Sequence, residues 1–264
     1  MSNNVANVTT GKPKITGAVY RAPLGTTLPT DATTALSGAF AAMGYISDNG
    51  VTNSNSPTTQ KIKAWGGQVV LIVTTEKPDT FKLTFLEAMN TNVLETVYGS
   101  GNVTLDAVNG KISVKANADA LDDYVYVIEQ VLKGGALKRI VIPAGELSAL
   151  GDVVYKDDTA IGYEVTLDAL PNSAGDNHYE YIALPAGTTM ALSIDKSTAS
   201  VAHGSTTTIT ATTTPAGLRV TWGTSDATKA TVDDAGVVTG VAAGSAVITA
   251  TMGGLSKSCT VTVT

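Results

Sequence analysis

"VTWGTSDATKATVDDAGVVTGVAAGSAVITAT", residues 220–251, decides the class of fold. Val220 and Trp222 point one way and Thr221 the other; further on, Ala246, Ile248 and Ala250 share a face. Apolar residues at every second position mark half-buried strands. The same period continues on either side. In "TTTITAT" (206–212) Ile209 and Ala211 align, and in "SCTVTVT" (258–264) Cys259, Val261 and Val263 align against threonines. A branched Cβ suits threonine to a pleated, half-exposed surface. Turns fall at Pro215-Ala216-Gly217, at Asp233-Asp234-Ala235-Gly236, at Gly240 and at Gly244. Short strands at regular spacing between turns predict a β-sandwich over residues 189–264, appended to a body of residues 1–188.

The chain of 264 residues has room for two modest domains. Its formal charge is −6, and the C-terminal segment is balanced, with four basic residues (Lys196, Arg219, Lys229, Lys257) against four acidic ones (Asp195, Asp226, Asp233, Asp234). The body therefore holds 13 basic and 19 acidic residues and carries the whole excess. An acidic body argues against binding the phosphate backbone, which takes clustered Lys and Arg. Cys259 stands alone and cannot form an internal disulfide. The opening "MSNNVANVTTGKPK" lacks the apolar centre of a secretory signal, and no apolar run is long enough to span a bilayer. Synthesis in the cytosol without membrane insertion is the expectation.

The body reads as mostly β with one helix. Residues 1–14 are polar and predict an N-terminal arm, followed by a strand near Ile15–Tyr20. "RAPLGTTLPTDATTALSGAFAAMG" (21–44) predicts an extended loop with weak helical potential at Ala35–Ala42. Asn49-Gly50 is a tight hairpin signal inside a long polar loop, about 47–64. Most polar loops are merely solvated, yet a structureless loop of that length is often functional or ordered by a partner. Phe81, Leu83 and Phe85 alternate in a strand. "NTNVLETVYGSG" (90–101) predicts a short helix, capped by Asn90 or Asn92 and stopped by Gly99. Further strands are predicted at "KISVK", "LKRIVIP", "DVVYK", "GYEVTLDAL" and "HYEYIAL". Val69–Val73 and Tyr124–Ile128 are apolar on both faces. Each is either a core strand covered on two sides or a strand with one face buried only against another copy of the chain.

The C-terminal segment resembles a bacterial immunoglobulin-like domain of group 2. The resemblance is carried by Leu192, Gly204, Pro215, the Val220–Trp222 pair, Ser225, Ala230 with Val232, the Gly236–Gly240 run and Gly244 with Ala246–Ala250. It implies a non-catalytic module of the kind found in surface adhesins and on the exterior of phage virion proteins.

The body resembles the major tail tube proteins of long non-contractile phage tails. The carrying stretches are "GAVYRAPLGTTLPTDATTALSGAFAAMGYISDNGVT", "KAWGG", "FKLTFLEAMNTNVLETVYGSGNV", "RIVIPAGE" and "GYEVTLDAL". The resemblance implies a β-sandwich or partial barrel with one flanking helix. Copies, typically six, would close into rings that stack as a hollow tube for DNA delivery, in the tail of a virion, with the protein synthesised in the host cytoplasm. Closing a barrel removes sheet edges, and an acidic lumen would let double-stranded DNA pass without specific binding. Partners implied are the chain itself, the tape measure, tip and terminator proteins, and a weak host-surface contact through the immunoglobulin-like domain. The arm and the polar loop would reach the adjacent ring, the loop through Asp48, Asn49, Gly50, Asn53, Asn55, Gln60, Lys61 and Lys63.

Catalytic chemistry finds little support. His178 and His203 lie in different domains and read as solvated loop residues. No Cys–His or Ser–His–Asp arrangement stands out, and Gly99-Ser100-Gly101 lacks the spacing of a phosphate cradle. Asp119, Asp122 and Asp123, and Asp152, Asp157 and Asp158, read as solvated turns, because a calcium site needs six to eight converging oxygens. Cys259 reads as a small buried apolar residue. No enzyme, cofactor or metal is expected. The alternatives are a cell-surface adhesin-type binding module and the tube of a phage-derived injection particle.

Overall fold

A computed structural model describes residues 7–14 and 17–264. The start of the expected arm (1–6) and the start of the first expected strand (15–16) lie outside the described residues. The chain divides into two compact units, Thr10–Pro185 and a second that contains Ala186–Thr264.

In the first unit the elements are β1 (Gly11–Pro13), β2 (Val19–Pro23), β3 (Ala41–Ala42), β4 (Thr52–Ser54), β5 (Thr58–Lys63), β6 (Val69–Glu76), β7 (Thr80–Phe85), α1 (Thr91–Tyr98), β8 (Val103–Asp106), β9 (Lys111–Val114), β10 (Tyr124–Leu132), β11 (Leu137–Leu150), β12 (Tyr163–Ala169) and β13 (Tyr179–Ala183). An antiparallel sheet runs β3-β2-β10-β11-β12-β7-β4, with β1 added to β10 and β13 to β11. Two hairpins, β5–β6 and β8–β9, stand outside it.

β10 is the spine of this unit, and its two apolar faces are both covered within the chain. Tyr124, Tyr126 and Ile128 join Phe81, Phe85 and Leu167 in the main core, together with Val93, Leu94 and Val97 of α1. Val125 and Val127 face the other way, into a second cluster with Ala22, Phe40 and Val141. Of the two readings of Tyr124–Ile128, the core strand is therefore the one observed. Alternation in β7 and β12 buries Phe81, Leu83, Phe85, Val165 and Leu167 on the same side.

α1 forms where its caps predict. The Asn90 side chain accepts from the Asn92 amide at 3.0 Å, and Gly99, at φ 91, ends the helix. Arg21 fastens it to the sheet: its guanidinium donates to Thr96 Oγ1 at 2.9 Å, pairs with Glu95 and lies 4.3 Å over the Tyr124 ring.

The extended 21–44 segment is held by a second buried arginine, and no helix forms at 35–42. Arg139 pairs with buried Glu129 and donates to the carbonyls of Asp31 and Thr34 at 2.7 and 2.9 Å. Lys14 reaches the other Glu129 oxygen at 3.0 Å. Hydrogen bonds from the Thr34 hydroxyl and amide, and from Thr33, hold Asp31 well below the usual carboxylate range.

Four expectations need correction. The arm is not free over its whole length, because residues 11–13 pair with Gln130–Leu132. Asn49-Gly50 makes no hairpin: Ile46 bridges Phe85 and Thr52 pairs Lys82, so the chain runs on along the same strand after a short excursion. The loop 47–64 is not structureless, since β4 and β5 lie inside it. "DVVYK" (152–156) forms no strand.

The second unit contains β14 (Ala191–Ile194), β15 (Thr198–Val201), β16 (Thr206–Thr208), β17 (Ala211–Thr214), β18 (Thr221–Thr224), β19 (Ala230–Val232), β20 (Val237–Gly240), β21 (Gly244–Met252) and β22 (Leu255–Val263). Sheets β15-β22-β21-β18 and β16-β20-β19 enclose Val201, Ile209, Val238, Ile248, Cys259 and Val261. The alternating residues of β21 and β22 are buried as their period requires. The threonine-rich stretch 206–212 differs from its reading: it breaks at buried Ile209 into two strands of different sheets. Gly236, at φ 79, sits where a Cβ would meet the Ile209 carbonyl at 2.4 Å, so only glycine closes that turn.

Candidate assembly surface

The β5–β6 hairpin is the most exposed regular element of the first unit. Among the described residues its strands pair only with each other, from Thr58 opposite Glu76 to Lys63 opposite Val69. Every residue of both strands is exposed. Val70, Leu71 and Ile72 keep 60%, 53% and 56% of their surface, which decides the second ambiguity of the sequence. Val69–Val73 is not a core strand; neither of its faces is covered by the described residues. Gly66 and Gly67, at φ 100 and 89, turn the tip and present Trp65 fully to solvent. Long apolar strands with open edges are rare on proteins that act alone.

A polar cluster around buried Asp79 ties together the strands on either side of the hairpin. Asp79, just beyond β6, accepts from Asn53 Nδ2 at 2.7 Å and pairs with His178 Nδ1. The His178 ring stands edge-on to Phe81, with centroids 5.2 Å apart. His178 is thus a partnered and largely covered histidine, not the solvated loop residue expected. His203 is exposed as expected.

The eight loop residues singled out in the sequence fall into two groups. Asp48, Asn49 and Gly50 form the excursion at the sheet edge, and Asn53 lies in β4. Asn55 is exposed between β4 and β5, and Gln60, Lys61 and Lys63 lie on β5 opposite Val73, Ile72 and Val69. Sequence reading missed Trp65 and the β6 residues as surface features. The signal was present in the both-faced apolar run beside Gly66-Gly67, read there with an equal alternative.

A second apolar feature lies beside α1. A cleft of about 300 Å³ is lined by Leu94, Tyr98, Ile112, Val114, Tyr155 and Tyr163, with Met89 at its rim. Tyr98 and Tyr163 meet edge to face at 6.1 Å, and burial pushes the Tyr163 phenol above its ordinary value. β8, unread in the sequence, pairs with β9, whose Ile112 and Val114 form one wall. Among the described residues no three His, Cys, Asp or Glu side chains are placed to hold a metal. No described helix is long and apolar enough to cross a membrane.

A mainly β chain with closed cores, a bare apolar hairpin, an immunoglobulin-like sandwich and no metal cluster among the described residues has the make-up of a structural protein. The phage tail tube proteins match over residues 1–191 and the bacterial Ig-like domain (group 2) over residues 189–263. The chain belongs to the phage tail tube protein family and ends in a group 2 immunoglobulin-like domain. It is a structural component of a virion tail. Nothing matches among curated proteins. Among solved structures it is similar to the protocadherin GammaB4 extracellular domain, at 11% identity and a TM-score of 0.25, over 85% of this chain and 62% of that one. The chain thus spans less than two thirds of that neighbour, and a likeness so slight carries no argument.

Proposed function

We propose that this chain polymerises as stacked rings of about six copies into the tail tube of a long-tailed phage, the conduit for DNA delivery. The number six rests on the resemblance of the body to tube subunits that close sheets into barrels. Residues 1–188 build the tube, and the immunoglobulin-like domain, 189–264, is carried on its outside, where it makes weak contact with the host surface. The arm and the 47–64 region, with Asp48, Asn49, Gly50, Asn53, Asn55, Gln60, Lys61 and Lys63, take part in contacts between rings. The acidic excess of the body suits a lumen that double-stranded DNA slides through without adhering. The observation that carries this reading is β6, whose apolar residues stay exposed although the chain has already closed two cores without them.

Electron microscopy of the purified full chain at high concentration tests it. Hollow cylinders are expected. A variant with residues 59–75 replaced by a short Gly/Ser turn keeps the same melting temperature and gives at most separate rings. Long tubes from that variant would remove the hairpin from the account.

A further inference from the structure

We infer that the tip of the β5–β6 hairpin, led by Trp65, docks into the tyrosine-lined cleft beside α1 of another copy of the chain. The inference rests on the tube reading above and assigns the hairpin its receptor. Trp65 is fully exposed, so it does not fill the cleft of its own chain. The cleft, about 300 Å³, is of the size that holds a compact apolar group. Its chemistry suits an indole. Tyr98 and Tyr163 already meet edge to face, and Tyr155, 71% exposed, leaves a third ring free to close over a guest. Met89, 84% exposed, adds a thioether at the rim.

Charge favours the same pairing. Between Thr58 and Thr75 the hairpin carries Lys61 and Lys63 and no acidic residue. The segment that supplies Tyr155 carries exposed Asp152, Asp157 and Asp158 against Lys156 alone. Lys61 and Lys63, on the strand that leads to the tip, thus approach a partner whose Tyr155 segment is net negative, which would steer the approach and set register. The reach is adequate, since a six-residue strand extends about 20 Å from its root. Tip and cleft are different patches of one molecule. A contact between them is heterologous, so each copy that receives a tip still offers its own, and the chain of contacts continues as a stack does.

Two substitutions test this in the full chain. Ala64→Cys places a thiol next to Trp65 without removing it, and Met89→Cys places one at the cleft rim. The native Cys259 is fully buried and stays silent. The two proteins are mixed, assembled and mildly oxidised, and a disulfide-linked peptide joining positions 64 and 89 is sought by mass spectrometry. Its appearance in tubes supports the pairing. In parallel, Trp65→Ala should raise the concentration needed for assembly roughly thirtyfold, the loss typical of an interface hot spot, while Trp65→Phe raises it far less. If tubes form with no such linkage, or Trp65→Ala assembles like the parent, the docking is wrong and the tube reading stands. If the parent chain forms neither tubes nor linked pairs, both fall.

Discussion

Exchanging Val70 and Ile72 for threonine separates a strand that serves the fold from one that serves assembly. The two side chains lie on one face of β6, at 60% and 56% exposure. Threonine keeps the branched Cβ and the strand preference, so the hairpin is unchanged in shape. In the isolated chain neither residue touches a core, and substitutions at such sites shift stability by about 0.5 kcal/mol or less. In an assembly that covers the strand, each aliphatic side chain would gain roughly half of the 1.5–3 kcal/mol of full burial, about 1 kcal/mol. The pair is then worth about 2 kcal/mol per subunit, or roughly thirtyfold in the concentration at which assembly begins. The opposite face, tested with Leu71→Thr and Val73→Thr, adds a comparable amount if it is covered as well. Sedimentation of assembled material against concentration measures the shift, and a thermal melt of the dilute chain provides the control. A melting temperature lowered by more than a few degrees would return β6 to the core of the fold. An unchanged assembly concentration for both pairs would show that the hairpin stays in solvent within the tube.

Two further outcomes follow from buried groups. Glu129→Ala leaves Arg139 charged and without its carboxylate at 1% exposure, and should cost about 3–5 kcal/mol in a denaturant titration; a loss under 1 kcal/mol would mean that the ion pair does not hold the 21–44 segment. Burial pushes the Tyr126 phenol well above its ordinary 10.0, so above that pH the unfolded chain releases a proton that the folded chain keeps, and stability falls as pH rises. Tyr126→Phe should flatten this fall without abolishing it, because burial also raises Tyr124 and Tyr163; an alkaline limb as steep as the parent's would assign it elsewhere.

The legible parts were those decided by neighbours in sequence. Period two placed Phe81, Leu83 and Phe85, and likewise Ala246, Ile248 and Ala250, on buried faces. Asn90 and Gly99 bound the helix because capping acts within one turn. What stayed hidden depends on partners far along the chain. His178 is covered by Asp79, 99 residues away, and Arg139 reaches Asp31 across 108. Asn49-Gly50 favours a turn by its backbone freedom, but β7 offers pairing on both sides of it and keeps the chain straight. The same limit applied to the two both-faced apolar strands. Composition made Val69–Val73 and Tyr124–Ile128 look alike, and only the sheet order separates them: β10 has neighbours on both edges and clusters on both faces, whereas β6 has β5 alone.

That separation bears on how the chain could be both a stable molecule and the polymer unit proposed for it. Each core cluster of the first unit closes within a single chain. The path of the main sheet ends in strands of two and three residues, β3 and β4, too short to template another sheet. The exposed apolar strand is placed instead on a hairpin that contributes nothing to either core, with its neighbours fixed by Asn53, Asp79 and His178. Folding and assembly then draw on different residues. In the proposed tube a subunit would complete its fold while dilute, and the exposed hairpin would act only when copies are close enough to meet. Substitutions in β6 should change the onset of assembly without changing the melt, and substitutions in β10 should do the reverse. A single mutation that moved both in proportion would show that the tube is what completes the fold, and the division drawn between these two strands would be lost.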